Sequence, residues 1–82
     1  MGRRTRSAKP LGARLLGDWR TKKVRLTQRE VCAKLGDLDG GRYSAFETGR
    51  MRPGLPMAAK IEEVTGGAVP AVSWRKHEAR AA

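Results

Sequence analysis

The side chains able to do chemistry in this 82-residue chain are few, and most of them are cations. Cys32 is the sole cysteine and His77 the sole histidine, so no internal disulfide can form and the two cannot assemble a zinc site. The run "DLDGG" beginning at Asp37 imitates part of a calcium loop, yet its twelfth position is Thr48, where a bidentate glutamate is needed. There is no glycine-rich phosphate loop and no nucleophile paired with a base. No catalytic residue, metal, cofactor or small-molecule substrate is therefore expected, and an enzyme is the weakest reading. What remains is 18 Lys and Arg against 8 Asp and Glu, a formal net charge of +10. Such an excess of guanidinium and ammonium groups donates charge-assisted hydrogen bonds to a polyanion, and nucleic acid is the first candidate.

The charge is unevenly spread. Residues 1–10 carry Arg3, Arg4, Arg6 and Lys9 with no acid, residues 11–74 carry 11 bases against 7 acids, and residues 75–82 add three against one. The two ends thus hold more than half of the excess. The bland alternative is that basic ends only keep a small protein soluble. Binding to a membrane surface would require a basic amphipathic helix with a broad apolar face, and residues 1–10 contain none. No apolar run is long enough to span a bilayer or to act as a signal peptide, so a cytoplasmic, nucleoid-associated location is expected.

The elements that must position these cations are helices. Hydrophobic residues make up 39% of the chain, with two Trp, one Tyr and one Phe, enough for one small helical core and thin for a sandwich or barrel. Residues 1–10, polar, basic and closed by Pro10, read as a disordered arm. The fold occupies residues 11–74, and residues 75–82 read as a flexible tail. Leu11, Leu15, Leu16 and Trp19 recur at helical spacing and predict a first helix over about residues 11–22, with Arg14, Asp18 and Lys22 outward and Gly12 and Gly17 weakening it. "LTQREVCAKLG" carries Thr27 as N-cap, Glu30 completing a capping box and Gly36 as stop, with Val31, Cys32 and Leu35 inward. In "DLDGGRYSAFETG", Leu38 is an apolar plug, Asp39 an N-cap, Tyr43 and Phe46 an inward pair, and Gly49 the stop. Two short helices joined by so tight a turn make a helix-turn-helix over about residues 27–49. A fourth helix is predicted over about residues 56–65, with Met57, Ile61 and Val64 inward. "AVPAVSW" reads as one last helical turn, with Val69, Val72 and Trp74 either closing the core or lining a dimer seam.

"LTQREVCAKLG", "ETGRMRP" and "TGGAVPAVSW", in that order and spacing over about residues 11–74, resemble the phage Cro and repressor class of helix-turn-helix regulators, also called the xenobiotic-response-element type. The resemblance implies an all-α domain of five short helices. It also implies a transcriptional regulator, most often a phage- or prophage-type repressor, that binds inverted-repeat operators in double-stranded DNA as a homodimer. Glu47, on the helix face of Tyr43 and Phe46, needs a cationic partner if it is partly buried. The family pattern makes that partner Arg20. Cys32 occupies a slot where the two helices approach closely, so it is expected to pack and not to react.

Thr27, Gln28 and Arg29 stand at the start of the first motif helix, where free N–H groups and the helix dipole favour phosphate. In the family a glutamine at the position of Gln28 anchors the DNA backbone and orients the first base-reading residue; the alternative is an ordinary polar first-turn residue. The second motif helix enters the major groove by its N-terminal half, which turns Gly40, Gly41, Arg42, Ser44 and Ala45 to the bases. Relatives commonly place long polar side chains where this chain has Gly40, Gly41 and Ala45. Direct readout then falls on Arg42, a bidentate donor for guanine, with Ser44 second and Ala45 limited to a thymine methyl. Gly36 and Glu47 are also one residue further apart than usual. If the extra residue is Asp37 these assignments stand; if the helix starts a residue early, they rotate by about 100°. Arg50 and Arg52 after the helix, and Lys22, Lys23 and Arg25 before the motif, are placed for phosphates, and Asp39 and Thr48 at the ends of the recognition helix are grouped with them. The arm residues Arg3, Arg4, Arg6 and Lys9 can follow a groove.

A module this small reads too few base pairs alone, which is the physical reason to expect a dimer. The rival reading is a DNA-binding antitoxin of a toxin–antitoxin pair, although residues 75–82 are short for a toxin-binding segment. RNA binding would require exposed aromatic rings, and all four aromatics are claimed by the core.

Overall fold

The computed structural model describes residues 9–75. Arg3, Arg4 and Arg6 of the expected arm, and the expected tail beyond Arg75, lie outside the described residues. Among the described residues there are four α-helices and no strand. No helix among them is long and apolar enough to cross a membrane.

Pro10 turns the chain into α1 (Leu11–Asp18), its carbonyl accepting from the Ala13 amide at 3.0 Å. No side chain caps this helix, so packing must hold it. The buried positions are Gly12, Ala13 and Leu16, with Trp19 following. Leu16 and Trp19 are buried and Leu15 packs against the core as the spacing predicts, whereas Leu11 is left 56% exposed and Gly12 and Ala13 are buried in its place. The cause is Trp74: a β-carbon on Gly12 would stand 2.6 Å from Trp74 Cε2 and 2.9 Å from Cε3, so only glycine lets the indole lie against the helix backbone. At Trp19 the helix widens into a π turn (Trp19–Lys23), in which the Val24 amide donates to the Trp19 carbonyl at 3.0 Å. Arg25, at φ 52°, then redirects the chain toward the motif.

Helix α2 (Gln28–Lys34) begins in a complete capping box. The Glu30 amide donates to Thr27 Oγ1 at 3.1 Å, and the Thr27 amide donates to Glu30 Oε1 at 2.7 Å. Two consecutive left-handed residues, Gly36 (φ 81°) and Asp37 (φ 60°), make the turn. Leu38 plugs it, half-buried, its amide bonded back to the Cys32 carbonyl at 3.0 Å. Helix α3 (Gly40–Thr48) starts where Asp39 Oδ2 accepts from the Arg42 amide at 3.0 Å. It ends in a Schellman closure: Gly49 at φ 84° donates to the Phe46 carbonyl at 3.3 Å, and the Arg50 amide to the Ala45 carbonyl at 2.9 Å.

Helix α4 (Leu55–Val64) carries Pro56 in its first turn and buries Ala58 and Ile61. In place of the expected fifth helix stands a single 3₁₀ turn (Ala71–Trp74). It is fastened to α4 by Glu62 Oε1, which accepts from the Ala71 amide at 3.0 Å. Leu16, Val31, Tyr43, Ile61 and Val69 are the largest fully buried side chains, and Phe46 meets Trp74 edge-on with ring centroids 6.2 Å apart. Val69 and Trp74 therefore fill the core of the monomer and offer no surface to a second copy. Of the three seam candidates, only Val72 is exposed, at 68%.

Candidate nucleic-acid interface

Helices α2 and α3 bury Val31, Cys32 and Leu35 from one side and Tyr43 and Phe46 from the other in the same cluster. Burial pushes the Cys32 thiol above its ordinary pKa, which keeps it protonated and suits a packing role.

Beside this apolar seam lies a polar cluster centred on Glu47. Arg20, in the π turn, donates through Nε to Glu47 Oε2 at 2.6 Å and through Nη2 to Oε1 at 3.1 Å, the bidentate geometry in which guanidinium and carboxylate pair best. Its Nη1 donates to the Leu26 carbonyl at 3.0 Å, so one side chain ties α3 to both the π turn and the segment before α2. Tyr43 Oη donates to Glu47 Oε2 at 2.6 Å, and Gln28 Nε2 to Oε1 at 3.0 Å. Burial alone would raise the Glu47 carboxyl, but the donors Arg20, Tyr43 and Gln28 together outweigh it and hold it below the usual carboxylate range. The Tyr43 hydroxyl is pushed well up, first by burial and then by its bond to Glu47.

The resemblance implies the pairing of Arg20 with Glu47, whereas the other two donors are not among the expected partners. Tyr43 was legible as an i,i+4 neighbour of Glu47 on one helix face, whereas Gln28 is brought in only by the crossing of α2 over α3. Gln28, half-buried, turns the Nε2 of its amide to this cluster. It fixes the start of α2 beside the last turn of α3.

The outer face of α3 exposes Gly40, Gly41 and Arg42 in its first turn, and Ser44 is half-buried. With Asp39 as its cap the helix starts at Gly40, and Asp37 takes a left-handed φ of 60° in the turn before it. Ala45, expected to face a base, is instead 6% exposed. The loop beyond Gly49 folds over it, with both the Arg50 and Met51 amides on its carbonyl. Ala45 becomes the floor of a shallow depression walled by Asp39, Gly41, Arg42, Arg50 and Met51. A neighbouring depression is bounded by Arg42 and Arg52.

Among the residues expected at phosphates, Arg29, Arg50, Arg52, Lys22, Lys23 and Arg25 are exposed, and Lys22 makes only an exposed pair with Asp18 at 3.6 Å. Thr27 is exposed with its hydroxyl inside the capping box. The Thr48 hydroxyl donates to the Ala45 carbonyl at 3.2 Å. Asp39 does not fit the phosphate group of residues. Its carboxylate carries the wrong charge, and its Oδ2 is already engaged as the cap of α3. Lys9, the described end of the arm, lies against Gly49, where an added β-carbon would stand 3.1 Å from Lys9 Cγ.

A short capped helix, a three-to-five-residue turn and a second helix that is anchored on its inner face and cationic at its open end define a helix-turn-helix module. The helix-turn-helix family model matches residues 16–70, and the chain belongs to that family, of the Cro/C1 type, whose domains bind DNA and regulate transcription. Comparison with curated proteins and with solved structures returned no match.

Proposed function

We propose that the chain is a phage- or prophage-type repressor that binds inverted-repeat operators in double-stranded DNA as a homodimer, in the cytoplasm at the nucleoid. The observation that carries this reading is the contrast between the two faces of α3. Its inner face is pinned by Tyr43, Phe46 and the Glu47 cluster, while its first turn is open and presents Arg42 close to Arg50 and Arg52. A helix held in that way can enter a major groove with little further ordering cost on binding. Arg42 reads guanine through O6 and N7, Ser44 assists it, and Gly40 and Gly41 let the helix backbone approach the base edges. Arg29, Arg50, Arg52, Lys22, Lys23 and Arg25 contact phosphates, which supplies affinity and not sequence choice. Arm cations Arg3, Arg4, Arg6 and Lys9 add to the same term.

The two-fold seam uses Val72 together with Leu55, which is 79% exposed at the start of α4, on two elements that pack against each other. Selection of bound duplexes from a random DNA pool tests the whole proposal. The expected result is an inverted repeat with half-sites about 34 Å apart or a multiple of that spacing. Enrichment of single half-sites, with a monomeric mass at binding concentrations, would overturn the dimer. No enrichment above bulk DNA would overturn the sequence-specific reading.

A further inference from the structure

Gly41, Ala45 and Thr48 fall on one stripe of α3 by helical spacing, and Gly41 and Thr48 are exposed. Ala45 is not, and the loop after the helix closes on its carbonyl. The Arg50 and Met51 amides bond to the Ala45 carbonyl at 2.9 and 3.2 Å. The side chain that takes its place at the surface is Met51, 43% exposed. Met51 walls the depression above Ala45 and also the one formed with Leu38, Phe46 and Met57; Arg42 borders both. Met51 thus shares both depressions with Arg42 and lies between Arg50 and Arg52 in the chain.

We propose that Met51 is a specificity-determining residue, packing on the C5-methyl of a thymine adjacent to the guanine read by Arg42. The assignment rests on the DNA-binding reading above and moves the methyl contact expected of Ala45 to a residue outside the helix. An isolated exposed methionine carries no meaning by itself, since single apolar side chains are common on surfaces. The surroundings of this one do. Its backbone is fixed by the closure of α3, so the side chain is held at the edge of the recognition surface. It has no N–H or O–H to offer a phosphate, although its neighbours in sequence do. In a major groove the apolar group available to it is the thymine methyl, and an unbranched, polarizable side chain can adjust to reach one. Gly41, with no side chain, leaves the approach open.

The test uses the operator duplex recovered by selection, with each thymine replaced in turn by deoxyuridine, which deletes only the methyl. Wild-type protein is expected to lose about three- to fivefold in affinity at one position per half-site, next to the guanine lost to Arg42. Met51→Ala is expected to bind the thymine operator more weakly by about the same factor and to ignore the methyl at that position. Met51→Leu should keep the preference, and Arg42→Ala should bind weakly but remain sensitive to that methyl. The assignment is overturned if wild-type protein binds the operator and ignores every methyl, if Met51→Ala discriminates as wild type does, or if Met51→Ala weakens binding to all duplexes equally. Wild-type protein that binds no duplex at all would overturn the DNA-binding reading itself, a result distinguishable from each of these.

Discussion

Arg42 leaves the first turn of α3 with its amide held by Asp39 Oδ2 and its side chain exposed, so the cap fixes the backbone from which the guanidinium extends. Replacing it by alanine removes a two-bond donor without disturbing the core. Arg42→Ala is expected to cost about 1–3 kcal/mol of binding at one operator position, with nonspecific affinity nearly unchanged, as read by titrating operator and scrambled duplexes at the same salt. Uniform weakening on every duplex would reassign Arg42 to the phosphates. Glu47 accepts from three side chains at once, which makes it the residue whose loss leaves the most polar groups unpaired. In Glu47→Ala, Arg20, Tyr43 and Gln28 all lose a partner. A cycle with Arg20→Ala and the double mutant should give a coupling of roughly 0.5–3 kcal/mol in chemical unfolding, and additivity would mean the ion pair contributes nothing. Because the folded carboxyl sits below its ordinary range, this contribution is fully present above the unfolded value of about 4.3 and is lost as pH falls through the lower folded value. Glu47→Gln should therefore flatten the acid limb of the stability–pH curve.

At the scale of elements, helix ends were legible in the sequence and helix faces only in part. The Thr27–Glu30 box, the Asp39 cap and the Gly49 stop depend on residues within a few positions of each other, so local spacing suffices to find them. The start of the inward face of α1 depends on Trp74, more than fifty residues away, so spacing finds Leu15, Leu16 and Trp19 but not the exchange of Leu11 for Gly12 and Ala13. Gly12 and Gly17 separate the two kinds of information. Both look like weak points in one helix, but a β-carbon at Gly17 would meet nothing within 4 Å, whereas at Gly12 it would run into the Trp74 ring. Gly17→Ala should raise stability by about 0.5–1 kcal/mol through helix propensity. Gly12→Ala should lower it by about 1–2 kcal/mol, as overpacking outweighs the same gain. Thermal melts of the two variants decide the matter, and equal shifts would show that the indole can move aside.

For the whole molecule, the proposed function divides the work: the net charge of +10 sets the strength of binding to any duplex, while the few groups on α3 and its loop set the choice among duplexes. Neutralising Arg50 and Arg52 together as glutamines should weaken operator and random DNA by similar factors and reduce the slope of log K against log salt by about 2 per subunit, or about 4 for the dimer. A change in operator preference instead would give those arginines a part in readout. Charge was visible in composition alone; the seam was not, because Val69 and Trp74 resemble Val72 in the sequence and only packing separates core from surface. The contact of Lys9 with Gly49 bears on the chain as a whole. The residue that stops the recognition helix is also the seat on which Lys9 rests, so two distant parts of the polypeptide share one small footprint. Any side chain at position 49 would meet an unfavourable φ and an occupied seat together. A single substitution there would alter at the same time how the reading helix ends and from where the basic extension departs, linking local grip and long-range reach through one missing β-carbon.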